Sequence, residues 1–222
     1  FKILHSTPDA YFKHLKKSGK ELPRHEKDLN SWAVGCYTSQ IRIKQKHRLL
    51  ENELYIVEKM MSHTSILGLT KYPYDEIHEV ACDLMVAEFH DILPGSSIQN
   101  VEEASLRLLD HGLEILSRIK ARAFFALASG QKKAKENEIP ILIYNPHPFK
   151  VVGSFECEFQ LADQNWKEEF TLPNIFQNGL KIPSQPEKEL SNLNLDWRKR
   201  VVFKAELEPG QMNRFDVKLE IV

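Results

Sequence analysis

The chain has 222 residues, 42% hydrophobic and 27% charged, enough for a sizeable core in one or two domains. Lys and Arg number 30 against 31 Asp and Glu, a net charge of -1, which calls for neither nucleic acid nor an anionic membrane. Three widely spaced cysteines (Cys36, Cys82, Cys157) argue against a disulfide framework and for reduced thiols in a cytoplasmic setting. No apolar run is long enough to span a bilayer, no signal peptide is evident, and a start at Phe1 points to a piece of a longer protein.

Ser6-Thr7-Pro8-Asp9 reads as a helix start, with Thr7 as N-cap and Pro8 at the first helical position. That helix should end near Lys17-Ser18-Gly19. An irregular stretch follows from Glu21 to Gly35, with Pro23, Asn30 and an isolated Trp32; a loop of that length is expected to be functional or packed on another part of the protein. A long helix is then predicted from Tyr37 to Ser62, with Ile41, Leu49, Leu50, Leu54, Val57, Met60 and Met61 as its apolar stripe. Its basic residues (Arg42, Lys44, Lys46, Arg48) mix with Glu51, Glu53 and Glu58 and lack interleaved aromatics, so they read as a solvated face and not as a nucleic-acid surface.

A second helix over Tyr74 to Phe89 carries Ile77, Val80, Ala81, Leu84, Met85 and Phe89 at helical spacing. Pro94 and Gly95 stop it. Ser96 then reads as an N-cap, with Gln99 completing a capping box, for a third helix from Ile98 to Ser129 whose apolar residues recur every three or four positions from Val101 to Leu127. Three such helices joined by short turns make a bundle. Past the polar segment Gln131 to Glu138 the pattern changes to short strands: Ile139 to Tyr144, Val151 to Leu161, Glu168 to Leu172, Val201 to Leu207 and Arg214 to Val222. Turn signals separate them at Asn145-Pro146-His147-Pro148, Asp163-Gln164-Asn165, Asn178-Gly179 and Pro209-Gly210. The expected fold is α+β: a three-helix bundle over 36–130, a linker over 131–138 and a partial antiparallel β-sandwich over 139–222. Edge strands of the final segment are expected to take partners beyond Val222.

The run Phe89-His90-Asp91-Ile92-Leu93-Pro94-Gly95-Ser96-Ser97 is the candidate site, because an imidazole, a carboxylate and a rigid turn meet between two helices. On spacing alone His90 reads more readily as a partner for a helix C-terminus than as a ligand, and Asp91 as a turn or capping group. No HExxH, CxxC pair or second His at helical spacing completes a metal site, so His90 could supply one ligand at most.

Three separated segments carry a family resemblance, in order. They are Gly35-Cys36-Tyr37-Thr38-Ser39 leading to Lys44, Arg48 and Glu51; the run FHDILPGSS; and Ile143-Tyr144-Asn145-Pro146 before the alternation from Val151 to Phe159. Together they resemble the middle of a glycoside hydrolase family 38 α-mannosidase. Gln40 departs from the Arg that many members carry after the Thr-Ser pair.

The resemblance implies a retaining, zinc-dependent exo-α-mannosidase as the full-length protein, whose zinc is held by a His and an Asp of an N-terminal barrel, by the catalytic Asp, and by one His of the helical domain. His90 matches that last ligand, and Asp91 matches a residue that contacts substrate hydroxyls. The nucleophile and the general acid, about 5 Å apart in a retaining enzyme, would both lie in the barrel, with residues 1–35 as its end and connecting loop. On this reading the partners are an α-mannoside and the N-terminal catalytic domain, with no nucleic acid and no membrane; a homo-oligomer is allowed. The isolated chain is expected to be inactive. The alternative is a non-catalytic protein- or carbohydrate-binding module in which His90 only caps a helix.

Overall fold

A computed structural model describes residues 3–29, 33–167, 169–190 and 196–222; Asn30, Trp32 and Glu168, named above, lie outside them. The chain divides at Tyr37 and Thr38 into two compact units. In the first, helix α1 (Pro8–Lys17) starts as its sequence predicts, Thr7 Oγ1 accepting from the Ala10 N–H at 3.3 Å ahead of Pro8. It buries none of its residues within that unit.

The predicted helix start at Tyr37 is corrected. Val34–Thr38 forms a short 3-10 helix, and Gln40 takes a left-handed conformation (φ 44°, ψ 51°) that interrupts the helical ladder. Only then does α2 (Ile41–Ile66) begin, followed by α3 (Tyr74–Ala87) and α4 (Gln99–Ala128). Ile43, Leu50 and Val57 of α2 recur every seven residues, and Leu109, Leu116, Ile119 and Ala123 of α4 face them; all are within 1% of fully buried. Ile41, Leu49, Met85 and Phe89, assigned to the apolar stripes by periodicity, lie outside this core and stay about half exposed. At Gly112 the helices approach so closely that an added Cβ would sit 3.0 Å from Leu50 Cδ1.

The basic face of α2 is largely paired and not simply solvated. Arg42 reaches Glu102 at 3.0 Å, and Lys46 pairs with Asp110, both across to α4. Between α3 and α4, Asp83 is buried and accepts from His111 Nδ1 at 2.8 Å, with Glu79 3.6 Å from Nε2. The Asp83 hydrogen bond outweighs desolvation and, with the fields of Asp83, Glu79 and Glu114, raises the His111 pKa above its ordinary 6.5. A raised folded-state pKa stabilises fully below 6.5, and the contribution is lost as pH rises through the folded value. Thermal melts at pH 6 and pH 8 should therefore show a drop in wild type that is smaller in His111→Ala.

The β part consists of β1 (Glu138–Asn145), β2 (Val151–Asn165), β3 (Thr171–Gln177), β4 (Leu180–Lys181), β5 (Ser184–Glu187), β6 (Asp196–Leu207) and β7 (Gln211–Ile221). Two antiparallel sheets result, ordered β1-β7-β3-β4 and β2-β6-β5. Phe203 and Val201 of one sheet and Phe215, Val217 and Ile175 of the other form the core between them. β4 and β5 are too short to show alternation in sequence. The last strand is not an edge: β7 lies inside its sheet between β1 and β3. Asp163-Gln164-Asn165 is not a tight turn either, since β2 runs on to Asn165 with a register shift after Gln160.

Tyr144 and Asn145 join the two parts. Tyr144 packs against the helical core, its hydroxyl 3.3 Å from His63 Nδ1. Asn145, 1% exposed, donates through Nδ2 to Phe149 O (3.0 Å) and Leu207 O (3.2 Å), while its Oδ1 accepts the His147 N–H at 3.0 Å. One side chain thus satisfies two backbone groups of the turn after β1 and one at the end of β6.

Candidate metal-ligand turn

His90 and Asp91 sit in the turns that follow α3. Ile92, the next residue, is 8% exposed and belongs to the helical core. Its N–H donates to Phe89 O at 2.8 Å, and Gly95 N–H donates to Ile92 O at 3.0 Å, so two tight turns are pinned by one buried side chain. The His90 side chain stays 78% exposed, its ring packed against Phe89 with centroids 4.2 Å apart. Its Nε2 lies 3.4 Å from Asp91 Oδ2, so a neutral ring with its proton on that side keeps the other nitrogen's lone pair for an outside ligand.

The capping-box prediction is overturned here. α4 starts at Gln99 after Ile98, which offers no side-chain cap, and Gln99 Nε2 donates to Glu103. Ser96 Oγ instead donates to Asp91 Oδ1 at 3.0 Å. The serine that would cap a helix therefore orients the carboxylate beside His90.

The start of α2 fastens this loop from the other side. Ser39 Oγ donates to Gly95 O at 2.7 Å, and the Lys44 ammonium donates to Ser39 O (2.6 Å) and Pro94 O (3.1 Å). Gln40 Nε2 donates to Ser97 O at 2.7 Å while its Oε1 accepts from Ser97 Oγ at 3.2 Å. Behind them the buried His47 holds Glu88, at the end of α3, through Nε2 at 3.1 Å. Gly95, at φ +82°, is required: a Cβ there would stand 2.6 Å from Ser39 Oγ and 2.8 Å from Ser39 O. Sequence reasoning placed Lys44 on a solvated helix face. Ser39 and Lys44 gave no local signal of this role, because their partners lie 50 or more positions away.

Among the described residues, no three of His, Cys, Asp and Glu converge to hold a metal. The turn fits a metal in a narrower sense, offering one open imidazole on a loop whose backbone is held by two helices. Among those residues, too, no helix is long and apolar enough to cross a membrane.

The overall arrangement, a helical bundle leading into an antiparallel sandwich, is one that known proteins share. Residues 32–127 match the family described as "Alpha mannosidase middle domain". The chain is 32% identical over 115 residues to Alpha-mannosidase G of Dictyostelium discoideum, which covers 48% of this chain and 10% of that protein. It is 35% identical over 101 residues to the Alpha-mannosidase of Saccharomyces cerevisiae, covering 43% and 9%. A crystal structure of a glycosyl hydrolase family 38 protein from Enterococcus faecalis superposes with a TM-score of 0.72 at 14% identity, over 98% of this chain and 28% of that one. An Enterococcus faecalis α-mannosidase structure gives a TM-score of 0.66 at 15% identity, over 98% and 29%. The chain thus spans about a tenth of the length of these curated relatives. The two solved structures share the fold of this chain, a helical bundle continued by a β-sandwich. Over residues 32–127 the chain is similar in sequence to the middle domain of α-mannosidases.

Proposed function

We propose that this chain is the central part of a zinc-dependent, retaining exo-α-mannosidase, in which His90 supplies one zinc ligand and Asp91 binds hydroxyls of the terminal mannose. The observation that carries the reading is the anchored turn: an exposed His90 and a Ser96-oriented Asp91 on a loop held by Ser39, Gln40 and Lys44. Such second-layer support is what a metal ligand and a sugar-binding carboxylate need to keep their positions.

The reading assigns 1–35 to the end of the catalytic domain, 36–130 to the bundle and 139–222 to the sandwich, with 131–138 between them. The partners are then an α-mannoside and an N-terminal domain bearing the nucleophile, the acid and the remaining ligands. Bound zinc would polarise mannose hydroxyls and help position the sugar. Within this chain, His90 offers its lone pair, Asp91 accepts from sugar hydroxyls, and the turn holds both in place. Free thiols at Cys82 and Cys157 suit a reducing, cytoplasmic setting and a role in mannose metabolism there.

An aryl α-mannoside assay on the full-length protein tests this. Turnover should fall to background on chelation and return with zinc, while the 222-residue chain alone should be inert, since one imidazole does not make a catalytic site. Chelator-resistant turnover, or none at all from zinc-loaded protein, would overturn it.

A further inference from the structure

The β part holds a second group of chemistry-bearing residues, which the reading above does not use. At the irregular end of β2, Ala162, Asp163, Gln164 and Trp166 line a hollow of about 410 Å³ with Trp197 of β6. A second hollow of about 530 Å³ shares Asp163 and Gln164 and continues past Asn165, Lys167, Glu169 and Thr171. Trp166 is 75% exposed, an unusual state for the side chain with the largest apolar face. Trp197 spends its indole N–H on Leu161 O at 3.2 Å, so what it presents to the hollow is carbon surface.

The floor is rigid. Asn165 Nδ2 donates to Asp196 Oδ2 at 3.0 Å and to Glu169 O at 2.7 Å, and its Oδ1 accepts from Lys167 N–H at 3.0 Å, fixing the backbone on both sides of Trp166. Asp196, next to Trp197, also accepts from Thr171 N–H at 2.9 Å and pairs with the buried Lys199. The backbone at the hollow is therefore held before anything binds, and the exposed Trp166 side chain is the part that binding would order.

We propose that these adjacent hollows bind a neutral oligosaccharide. A pyranose ring offers a face of C–H groups to an indole and a rim of hydroxyls to neighbouring polar side chains, and this is the combination of Trp166 and Trp197 beside the Asp163 carboxylate and the Gln164 amide. Two hollows that share Asp163 and Gln164 suit a ligand of two or more sugar units; a monosaccharide would fill only one. The inference does not rest on the zinc reading, since it uses neither His90 nor Asp91.

The test titrates mannotriose, maltotriose and cellotriose into zinc-depleted full-length protein by calorimetry, with Trp166→Ala and Asp163→Ala beside wild type. The expected result is a dissociation constant of about 1 mM or tighter for at least one trisaccharide, weakened roughly 10-fold or more in each variant. The melting temperature of Trp166→Ala should match wild type, and zinc-loaded Trp166→Ala should turn over a small aryl α-mannoside at the wild-type rate, which separates this outcome from that of the proposed function. Absence of binding to all three sugars, or unchanged affinity in Trp166→Ala, overturns the proposal. So does a several-degree fall in melting temperature without saccharide binding, which would mark the indole as packing surface for another part of the chain.

Discussion

His90→Ala in the full-length protein is expected to cut zinc affinity by about 100-fold or more and kcat/KM for an aryl α-mannoside at least in proportion. Removal of a group that merely orients a metal ligand costs about 10–100-fold, and loss of the ligand itself should exceed that. The turn is well suited to localise the effect: the His90 side chain is 78% exposed and the buried anchor is the neighbouring Ile92, so alanine removes the imidazole without opening the core. Metal analysis after dialysis, with the melting temperature as control, reads the outcome. Full zinc retention would reduce His90 to a surface residue. Asp91→Asn serves as the contrast. It should keep zinc yet raise KM about 10-fold, since a hydrogen bond to a charged group contributes about 1.5–3 kcal/mol and the amide gives up that charge.

Gly95→Ala is expected to have the second large effect, through geometry alone. At φ +82° an L-residue costs about 1–2 kcal/mol. The new Cβ must also displace Ser39, whose backbone oxygen would be 2.8 Å away, and the Ser39 and Lys44 hydrogen bonds that close the loop contribute about 1 kcal/mol each. A total of about 3 kcal/mol should appear in urea unfolding of the domain that carries the turn, together with roughly 10-fold weaker zinc binding. Gly68→Ala isolates the backbone contribution: Gly68 has φ +70° but no atom within 4 Å of its would-be Cβ. Equal destabilisation by the two substitutions, with zinc affinity untouched in both, would show that the contact between the start of α2 and the loop does not support His90.

Much of this architecture is legible from local pattern. Helical periodicity marks three long helices, because each buries one stripe against the others, and Thr7-Pro8 marks the start of α1 because a cap needs only its own next three residues. The strands from Val151 and from Val201 alternate visibly because one face of each turns to a core. The run FHDILPGSS stood out because His, Asp, Pro and Gly are read at adjacent positions.

Local pattern misleads where a side chain has more than one partner within reach. Ser96 has the spacing of a helix cap but donates to Asp91, five positions back, and Gln99 donates to Glu103, one helical turn on. Met85 and Phe89 keep helical phase with the stripe of α3 and yet stay half exposed, since the bundle's core turns inward at Ala87 and Ile92. Periodicity reports which face a residue is on and says nothing of where the neighbouring helix stops.

The sequence by itself determined the class of fold, the order of its elements and the presence of a His-Asp turn between two helices, all of which depend on contacts a few residues apart or on repeating faces. Tertiary structure alone decided that Ser39, Gln40 and Lys44 hold that turn and that Trp166 and Trp197 share one hollow. Those groups are separated by 31 to 57 positions, and only the packing of α2 against the loop and the pairing of β2 with β6 bring them together.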